Sequence, residues 1–433
     1  MTVTLDEPDC PPASDGLARS VTTSVADPSS SGSAPGRALL VRRSTVADVA
    51  PSTWDALVAR TPYATPFSRW AFHRAWWDGY GATAHEETLL VVDPAAPAGA
   101  EPVAIVPLMH RHETEPGDAA SRSTIRHGHE GALTAVEPTA KAIFFGASYH
   151  ADYATILGAP ADLPAVAAAL VAHLAAPPAP DDDHPAPWDV VDLRRLRCGD
   201  PASNALTDAF TTAAAGRGWT ILREREDVCP VATVPEGVDF EGYLDTLDKK
   251  ARHEIRRKIR RAEAAGAVVL AESTDPLADL PAFIDLHQRR WGDRGLFPPN
   301  PGGDASRRFM RRLFEAFGPD GPVRLSFLMV GERRIGAGIH IDDGRTYSYY
   351  NAGVDPDASE LSPGVLMVAR YVAKAIEAGR HRFDFLRGNE PYKYEWGAID
   401  EPIERILVSR APAGSTHVSG STPARRPLPE PTS

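Results

Sequence analysis

Four side chains near the C-terminal end of the chain can move a proton or hold an anion: Asp384, Glu390, Tyr392 and Lys393. Asp384 lies at the end of a stretch over 381–386 that predicts a strand, and the other three follow it in a loop. Either carboxylate can act as a general base if burial raises its pKa. The ammonium group of Lys393 can bind a phosphate or another anion.

Each of these four side chains also has a structural alternative. Asp384 can be a buried carboxylate that satisfies backbone groups, and Glu390 can be a solvated loop residue. Lys393 can form a salt bridge with either carboxylate, and Tyr392 can pack with its hydroxyl satisfied. The residue types alone leave both alternatives open.

His340 is a fifth candidate, on a strand predicted over 334–341. The larger apolar residues of that strand share one face, so His340 lies on the opposite face with Gly336 and Gly338. A histidine on a glycine-lined face can act as a base near neutral pH. A lone histidine is more often structural, and no set of histidines is spaced to predict a metal site.

A helix predicted over 363–378 begins with residues that suit an anion. Ser362 fits the N-cap, Pro363 fits the first helical position, and Gly364 allows a ligand to approach the backbone before Val365. The N–H groups and the dipole of such a helix end favour negative charge, and a pyrophosphate would fit there. The alternative is a well-capped helix that binds nothing.

The segment 249–261 is strongly basic in an acidic chain. The whole sequence has 46 Lys and Arg against 58 Asp and Glu, a net charge of −12, which argues against a DNA-coating protein. The segment predicts one face of a helix that is either solvated or binds a phosphate-rich ligand, with Arg256 and Arg260 as the foremost contacts. Its eight basic residues are Lys249, Lys250, Arg252, Arg256, Arg257, Lys258, Arg260 and Arg261.

Helix and strand patterns predict a mixed α/β fold with two domains. Tails rich in Ser, Pro and Gly predict disorder over 1–37 and 412–433, and a junction near 229–238 divides the rest into domains 38–229 and 230–411. The predicted helices of the second domain cover 240–265, 281–292, 306–317 and 363–378, and its strands cover 323–330, 334–341, 346–352 and 381–386. The predicted helices of the first domain cover 53–60, 68–79, 163–176 and 204–218, and its predicted strands cover 38–42, 87–93, 102–110, 152–157 and 188–193.

Composition excludes several classes of protein. Three cysteines in 433 residues are too few for a disulfide framework or a zinc cluster. No apolar run reaches the length of about 18 residues that a membrane helix needs, and the N-terminus has no signal-peptide pattern. We therefore expect a cytoplasmic protein without a bound metal.

Four motifs in the second half resemble the GNAT superfamily of acyltransferases, in the branch of CelD-like proteins of cellulose biosynthesis, which is related to the FemABX peptidyltransferases. They cover about 240–410 and stand in the family's order. The resemblance implies two GNAT-like lobes in tandem, the first of them degenerate. The motifs are Tyr243–Leu247 with the arginines after it, Leu286-His287-Gln288-Arg289-Arg290-Trp291, Leu361-Ser362-Pro363-Gly364, and Phe383-Asp384-Phe385-Leu386-Arg387-Gly388-Asn389-Glu390-Pro391-Tyr392-Lys393.

The resemblance implies acyl transfer from acyl-CoA, with acetyl-CoA foremost, to an amine or hydroxyl of a small molecule, a sugar or a cell-envelope precursor. Asp384 or Glu390 would be the base, and the helix end at 362–365 would hold the phosphates. Lys393 would bind a phosphate or the tetrahedral oxyanion, and Tyr392 would protonate the leaving thiolate.

One departure from the family pattern keeps other functions open. GNAT acetyltransferases carry an Arg/Gln-x-x-Gly-x-Gly/Ala loop before the cofactor helix, whereas this chain has Ala358-Ser359-Glu360-Leu361-Ser362-Pro363-Gly364. The first alternative is FemABX-like aminoacyl transfer from a charged tRNA, with the tRNA acceptor end on the basic helix. The second is a non-catalytic module that binds or assembles a polysaccharide.

Overall fold

The computed structural model describes residues 38–97, 99–111, 133–177 and 188–410. The predicted tails at 1–37 and 412–433 lie outside these residues. In the described part of the chain, no helix combines the length and the apolar character needed to cross a membrane.

The first half of the described chain alternates strands with helices, as predicted. Its elements are β1 (Leu40–Ser44), α1 (Pro51–Arg60), α2 (Trp70–Tyr80), β2 (His85–Val92), β3 (Ala104–Arg111), β4 (Ala142–Phe145), β5 (Leu157–Gly158), α3 (Leu163–Ala175), β6 (Val190–Arg197), α4 (Pro201–Ala214) and β7 (Thr220–Thr233).

The second half begins with two helices and then follows the same plan. Its elements are α5 (Phe240–Thr246), α6 (Lys249–Ala265), β8 (Val268–Glu272), α7 (Pro276–Trp291), α8 (Pro301–Phe317), β9 (Val323–Val330), β10 (Arg333–Asp342), β11 (Thr346–Val354), α9 (Pro363–Glu377), β12 (Arg382–Asp384), α10 (Pro391–Tyr394) and β13 (Ile399–Ser409).

The two halves repeat one unit. Each has a strand, two helices, three antiparallel strands, a helix, a strand parallel to the last of the three, a further helix and a final strand. The described strands form one sheet in the order β1-β2-β3-β4-β6-β13-β7-β12-β11-β10-β9-β8, with β5 beside β3. The predicted mixed α/β class with two tandem lobes is confirmed.

The final strands of the two halves are exchanged. β7 of the first half pairs with β12 of the second, β13 pairs with β6 of the first, and β7 and β13 pair with each other at the centre of the sheet. The junction predicted between residues 229 and 230 therefore falls inside β7, and the division into two domains stays a prediction. Pro230 does not interrupt the strand, because its carbonyl still accepts a hydrogen bond from Phe385 N at 3.0 Å.

Two predicted element boundaries are wrong for local reasons. The helix predicted over 240–265 is two helices, since the Asp248 side chain accepts hydrogen bonds from Lys250 N and Ala251 N and caps α6. The strand predicted over 152–157 is limited to Leu157–Gly158. The residues before Leu157 form a loop that lies between the two halves in space. Its backbone groups form hydrogen bonds with distant parts of the chain.

A shared apolar core joins the halves where α2 packs on α8. Phe72 contacts Phe309 edge-on, with ring centroids 5.6 Å apart. A Cβ at Gly79 would lie 2.8 Å from Phe309 Cβ, so only a glycine permits this approach of the two helices. Because this core includes residues of both halves, loops from the first half are held against the sheet of the second.

Candidate active site

A pocket opens where two parallel strands of the second half diverge. β11 and β12 pair only over Thr346–Ser348 and Arg382–Asp384. Beyond these residues the strands separate, and a pocket of about 220 Å³ lies between Tyr349–Ala352 on one side and Phe385–Arg387 on the other. Residues that follow the paired part of each strand therefore line one space.

Both halves of the chain supply walls to this pocket. His287 and Trp291 come from α7, and Glu390, Tyr392 and Lys393 come from the segment that forms α10. The first half contributes a loop between β4 and β5. The loop residues that line the pocket are Tyr149, His150 and Asp152.

Lys393 holds the floor of the pocket. It is 2% exposed, and its Nζ donates to the carbonyl oxygens of Leu386, Arg387 and Gly388 at 3.0, 2.9 and 2.9 Å. Glu390 Oε2 lies 2.9 Å from the same nitrogen. An ammonium group has three N–H donors, and these contacts use them. The geometry therefore matches the salt-bridge alternative and provides no donor for a phosphate or an oxyanion.

Asp384 lies beneath the pocket and does not line it. Its Oδ2 accepts from the Tyr153 hydroxyl at 2.8 Å, and its Oδ1 accepts from Leu386 N at 2.7 Å. Burial raises the pKa of Asp384 to about 6, against the two hydrogen bonds, which favour the ionised form. This carboxylate satisfies neighbouring groups, as its structural alternative predicted, and ties the loop of the first half to the second.

Asp384→Asn is expected to change how stability depends on pH. The folded-state pKa of about 6 lies above the usual 3.8, so the folded protein binds more protons between these values. Stability then falls as the pH rises from about 4 to 6, by up to roughly 3 kcal/mol. Asparagine can still accept from Leu386 N and can donate its amide N–H to the Tyr153 hydroxyl oxygen, and it removes this loss because it does not titrate. Urea unfolding at pH 4.5, 5.5 and 7 measures how the free energy of unfolding changes with pH. The same pH dependence in the variant and in the wild-type protein would contradict a raised pKa for Asp384.

His340 does not join the other candidates. A register shift between Ile339 and His340 interrupts the alternation of faces, and the imidazole stacks on Tyr347 with ring centroids 4.5 Å apart. Burial lowers the pKa of His340 to about 3, so the ring is neutral and weakly basic at pH 7. It lies outside the residues that line the pocket.

Glu390 and Tyr392 do line the pocket. The Glu390 side chain is 43% exposed at the start of α10. Tyr392 packs edge-on against Phe385, with ring centroids 6.1 Å apart, and burial raises the pKa of its hydroxyl. Of the carboxylates predicted from the sequence, Glu390 is the one that reaches the pocket.

The pocket residues of the first-half loop were missed by sequence reasoning. Asp152 Oδ1 lies 3.4 Å from Arg387 Nε, and His150 Nε2 lies 2.9 Å from the Tyr80 hydroxyl. No periodicity or motif marks this loop, and it is more than 200 residues from Glu390 in sequence. His287 and Trp291 did carry a signal, since both belong to a quoted motif.

The N-terminus of α9 has an unusual geometry. Ser362 has a left-handed backbone with φ of 56°, and its side chain does not cap the helix. Its hydroxyl accepts instead from Arg261 Nη2 at 2.6 Å. The amides of Val365 and Leu366 both donate to Ser362 O, and Pro363 has no N–H. Among the described groups of this turn, the Gly364 amide remains as a donor, and a Cβ there would meet no atom within 4 Å.

The two arginines predicted to bind a cofactor lie elsewhere on α6. Arg256 forms ion pairs with Glu241 at 2.8 Å and Asp245 at 2.9 Å, which holds it on α5. Arg260 is exposed. Arg261 is the arginine of this helix that reaches the start of α9.

The corresponding place in the first half is filled. β4 and β6 pair in parallel over Ala142–Ile143 and Val190–Val191 and then diverge, as β11 and β12 do. The cavity found there measures about 10 Å³, with Tyr153 and Thr155 of the chain itself against Phe145. Such a space holds about one water molecule, so the described residues of this lobe leave no pocket at this place like that of its counterpart.

Comparison with known proteins agrees with this geometry. Residues 249–394 match the family model of the acetyltransferase (GNAT) domain. The matched segment runs from α6 to α10 and contains every second-half side chain that lines the pocket. The predicted GNAT resemblance is confirmed for this part of the chain, whereas the CelD-like branch stays a prediction.

Solved structures are similar to this chain over most of its length. The crystal structure of FemX has a TM-score of 0.51 and 11% sequence identity, covering 83% of this chain and 96% of that one. A tandem GNAT protein from the clavulanic acid biosynthesis pathway scores 0.44 at 10% identity, covering 87% and 100%. L-PGS from Bacillus licheniformis scores 0.45 at 11%, covering 84% and 93%. At such identities the FemX likeness shows the fold, and no curated protein matches the chain.

Proposed function

We propose that this protein transfers an acyl group to an amine or hydroxyl acceptor bound in the pocket between β11 and β12. One observation carries the proposal. Inside the segment that matches the GNAT domain, two parallel strands diverge around a pocket that contains Glu390. Aromatic side chains on several walls suit the ring of a small molecule or a saccharide, including a cell-envelope precursor.

The donor in this proposal is an acyl-CoA, with acetyl-CoA foremost. Its phosphates would bind at the start of α9, where the Gly364 amide, the helix dipole and the Arg261 guanidinium are close together. This helix end presents fewer amides than a glycine-rich loop, so Arg261 carries more of the recognition. In the described part of the chain, no cluster of three or more His, Cys, Asp or Glu suits a metal ion.

The reaction uses side chains of the pocket directly. The acceptor attacks the thioester carbonyl and gives its proton to the Glu390 carboxylate. The tetrahedral oxyanion collapses, the carbon–sulfur bond breaks and CoA leaves as a thiolate. The Tyr392 hydroxyl protonates this thiolate, and solvent returns the proton from Glu390 to Tyr392.

Calorimetry with acetyl-CoA and longer acyl-CoAs tests the donor. We expect binding heat and a rise in melting temperature with at least one of them. If no acyl-CoA gave binding heat or raised the melting temperature, acyl-CoA would not be the donor.

Gly364→Ala is expected to stabilise the protein and weaken the binding of acetyl-CoA. Alanine favours the helix by about 1 kcal/mol, and the added methyl group meets no protein atom. If phosphates approach this backbone, the methyl group displaces them and raises Kd roughly tenfold. Acetyl-pantetheine, which lacks the pyrophosphate, is the control and should bind equally to both proteins. Equal affinity of both proteins for acetyl-CoA would place the phosphates elsewhere.

A second candidate is aminoacyl transfer from charged tRNA, which FemABX enzymes perform and which the surface of α6 favours. Lys249, Lys250 and Arg260 are exposed on this helix. Several neighbours are paired with carboxylates, which reduces the basic surface that the sequence suggested. Binding of charged tRNA that falls steeply with salt would favour this donor over acyl-CoA.

A further inference from the structure

One wall of the acceptor pocket is a loop that belongs to the other half of the chain. Residues 147–153 lead from β4 across the pocket, with Ala147 in the left-handed region at φ of 63°. Ala151 N donates to Ala147 O at 3.1 Å, which closes the loop on itself. The position of this wall depends on what holds the loop at each side.

Three contacts hold the loop on the second half. The Tyr350 hydroxyl donates to His150 O at 3.2 Å, and Arg387 pairs with Asp152. The Tyr153 hydroxyl donates to Asp384 at 2.8 Å. These contacts come from β11, the pocket floor and β12, so they reach the loop from the pocket side.

A buried ion pair holds the loop on the first half. Arg195 Nε donates to Ala151 O at 3.3 Å, and Ala154 N donates to Arg195 O at 2.9 Å. The Arg195 guanidinium pairs with Glu226 of β7, whose Oε2 also accepts from Arg195 N at 2.7 Å. The side chains of the pair are 0% and 1% exposed.

This arrangement carries two energetic costs. Arg195 has φ of 69°, in a bulge of β6 where two residues lie opposite Arg405. A left-handed backbone is strained at a non-glycine residue, because its Cβ crowds the following carbonyl oxygen. Burying an ion pair also removes two charges from water, and apolar residues often stabilise such a site equally well. Stability alone therefore does not explain why a buried ion pair is present here. Its contacts with the loop offer a different explanation.

We propose that the Arg195–Glu226 pair is a positioning element that fixes the 147–153 loop as a wall of the acceptor pocket. As an account of catalysis this rests on the acyl transfer proposed above. The pair does not touch the acceptor. It sets the distance between the loop and β11, and so the affinity for the acceptor. The start of α9, where the donor is proposed to bind, does not depend on this pair, so the affinity for the donor does not depend on it either.

The experiment compares two ion pairs. Arg195→Met with Glu226→Met removes both charges together, so no buried charge is left alone. The matched control is Arg380→Met with Asp342→Leu, a pair whose side chains are each 24% exposed and which does not contact the loop. Hydrogen–deuterium exchange over 147–154 reports loop position. The acceptor probe is glucosamine, a saccharide with a free amine, and initial rates with it and acetyl-CoA give KM for each substrate.

We expect faster exchange of the loop amides and a ten- to hundredfold higher KM for glucosamine in the Arg195 and Glu226 variant, with KM for acetyl-CoA unchanged. The control pair should change neither loop exchange nor the KM for glucosamine. Arg195→Lys keeps the charge but cannot reach both Glu226 and Ala151 O in the same geometry, and it should restore part of the affinity.

Two results would overturn the proposal. One is loop exchange equal to that of the wild-type protein, which would show that the pair does not hold the loop. The other is faster exchange with an unchanged KM for glucosamine. A wild-type protein that transfers no acyl group would contradict the proposed function, and the exchange comparison would still decide whether the pair holds the loop.

Discussion

Glu390→Gln is expected to lower kcat about 100-fold with acetyl-CoA and glucosamine. Removing a general base typically costs between 10² and 10⁴ in rate, and the lower end applies because Glu390 lies next to the Lys393 ammonium. Glutamine keeps the shape of the side chain and an oxygen that can accept from Lys393. The fold and the KM for acetyl-CoA should therefore remain as in the wild-type protein.

Glu395→Gln is the matched control for this experiment. Glu395 is exposed, lies five residues further along the chain and does not line the pocket. Initial rates at saturating acetyl-CoA and glucosamine separate the two variants, since only the loss of a base lowers kcat. A Glu390→Gln protein with kcat within twofold of wild type would contradict the role of base. Survival of the cellular function in a variant that transfers no acyl group would instead favour the non-catalytic alternative.

Lys393→Met is expected to lower the free energy of unfolding by about 3 kcal/mol or more and to abolish transfer. Methionine fills a similar volume, but it leaves the carbonyl oxygens of 386–388 without the donor that now satisfies them. A single hydrogen bond to a charged group contributes about 1.5–3 kcal/mol, and an unsatisfied buried acceptor costs a comparable amount. The pocket floor would then lose its shape before substrate binds.

Lys374→Met separates this effect from the loss of a positive charge. Lys374 forms an exposed ion pair with Glu272 at 3.0 Å, and exposed pairs contribute less than about 1 kcal/mol. Urea unfolding of both variants measures the difference. A Lys393→Met protein that unfolds within 1 kcal/mol of wild type would show that the three carbonyl contacts are not what holds the floor.

Local chemistry in the sequence predicted the elements around the site well. The helix predicted over 363–378 is Pro363–Glu377, and the turns predicted after Val330 and after Ile341 join β9, β10 and β11. Caps, glycines and apolar periodicity determine such elements within a few residues. The same signals missed β13 and the course of β7 through Pro230, because these strands are stabilised by partners about 180 residues away in sequence.

The candidate site was predicted less completely than the elements. Glu390 and Tyr392 reach the pocket at the start of α10, whereas Lys393 of the same motif forms its buried floor and Asp384 lies beneath it. Sequence distinguishes residue types but not which side of a loop each one takes. His340 shows the same limit, because one register shift in β10 decided where its ring packs.

By itself, the sequence determined the α/β class, the two-part organisation and the segment that matches the GNAT domain, since these depend on local periodicity and on a motif within one stretch of chain. The tertiary structure alone decided the exchange of β7 and β13, the wall that the 147–153 loop gives to the pocket, and the Arg195–Glu226 pair behind it. Each of these depends on contacts between segments far apart in the chain. Burial and strand pairing set such contacts, and neither is readable from the spacing of residues within one segment.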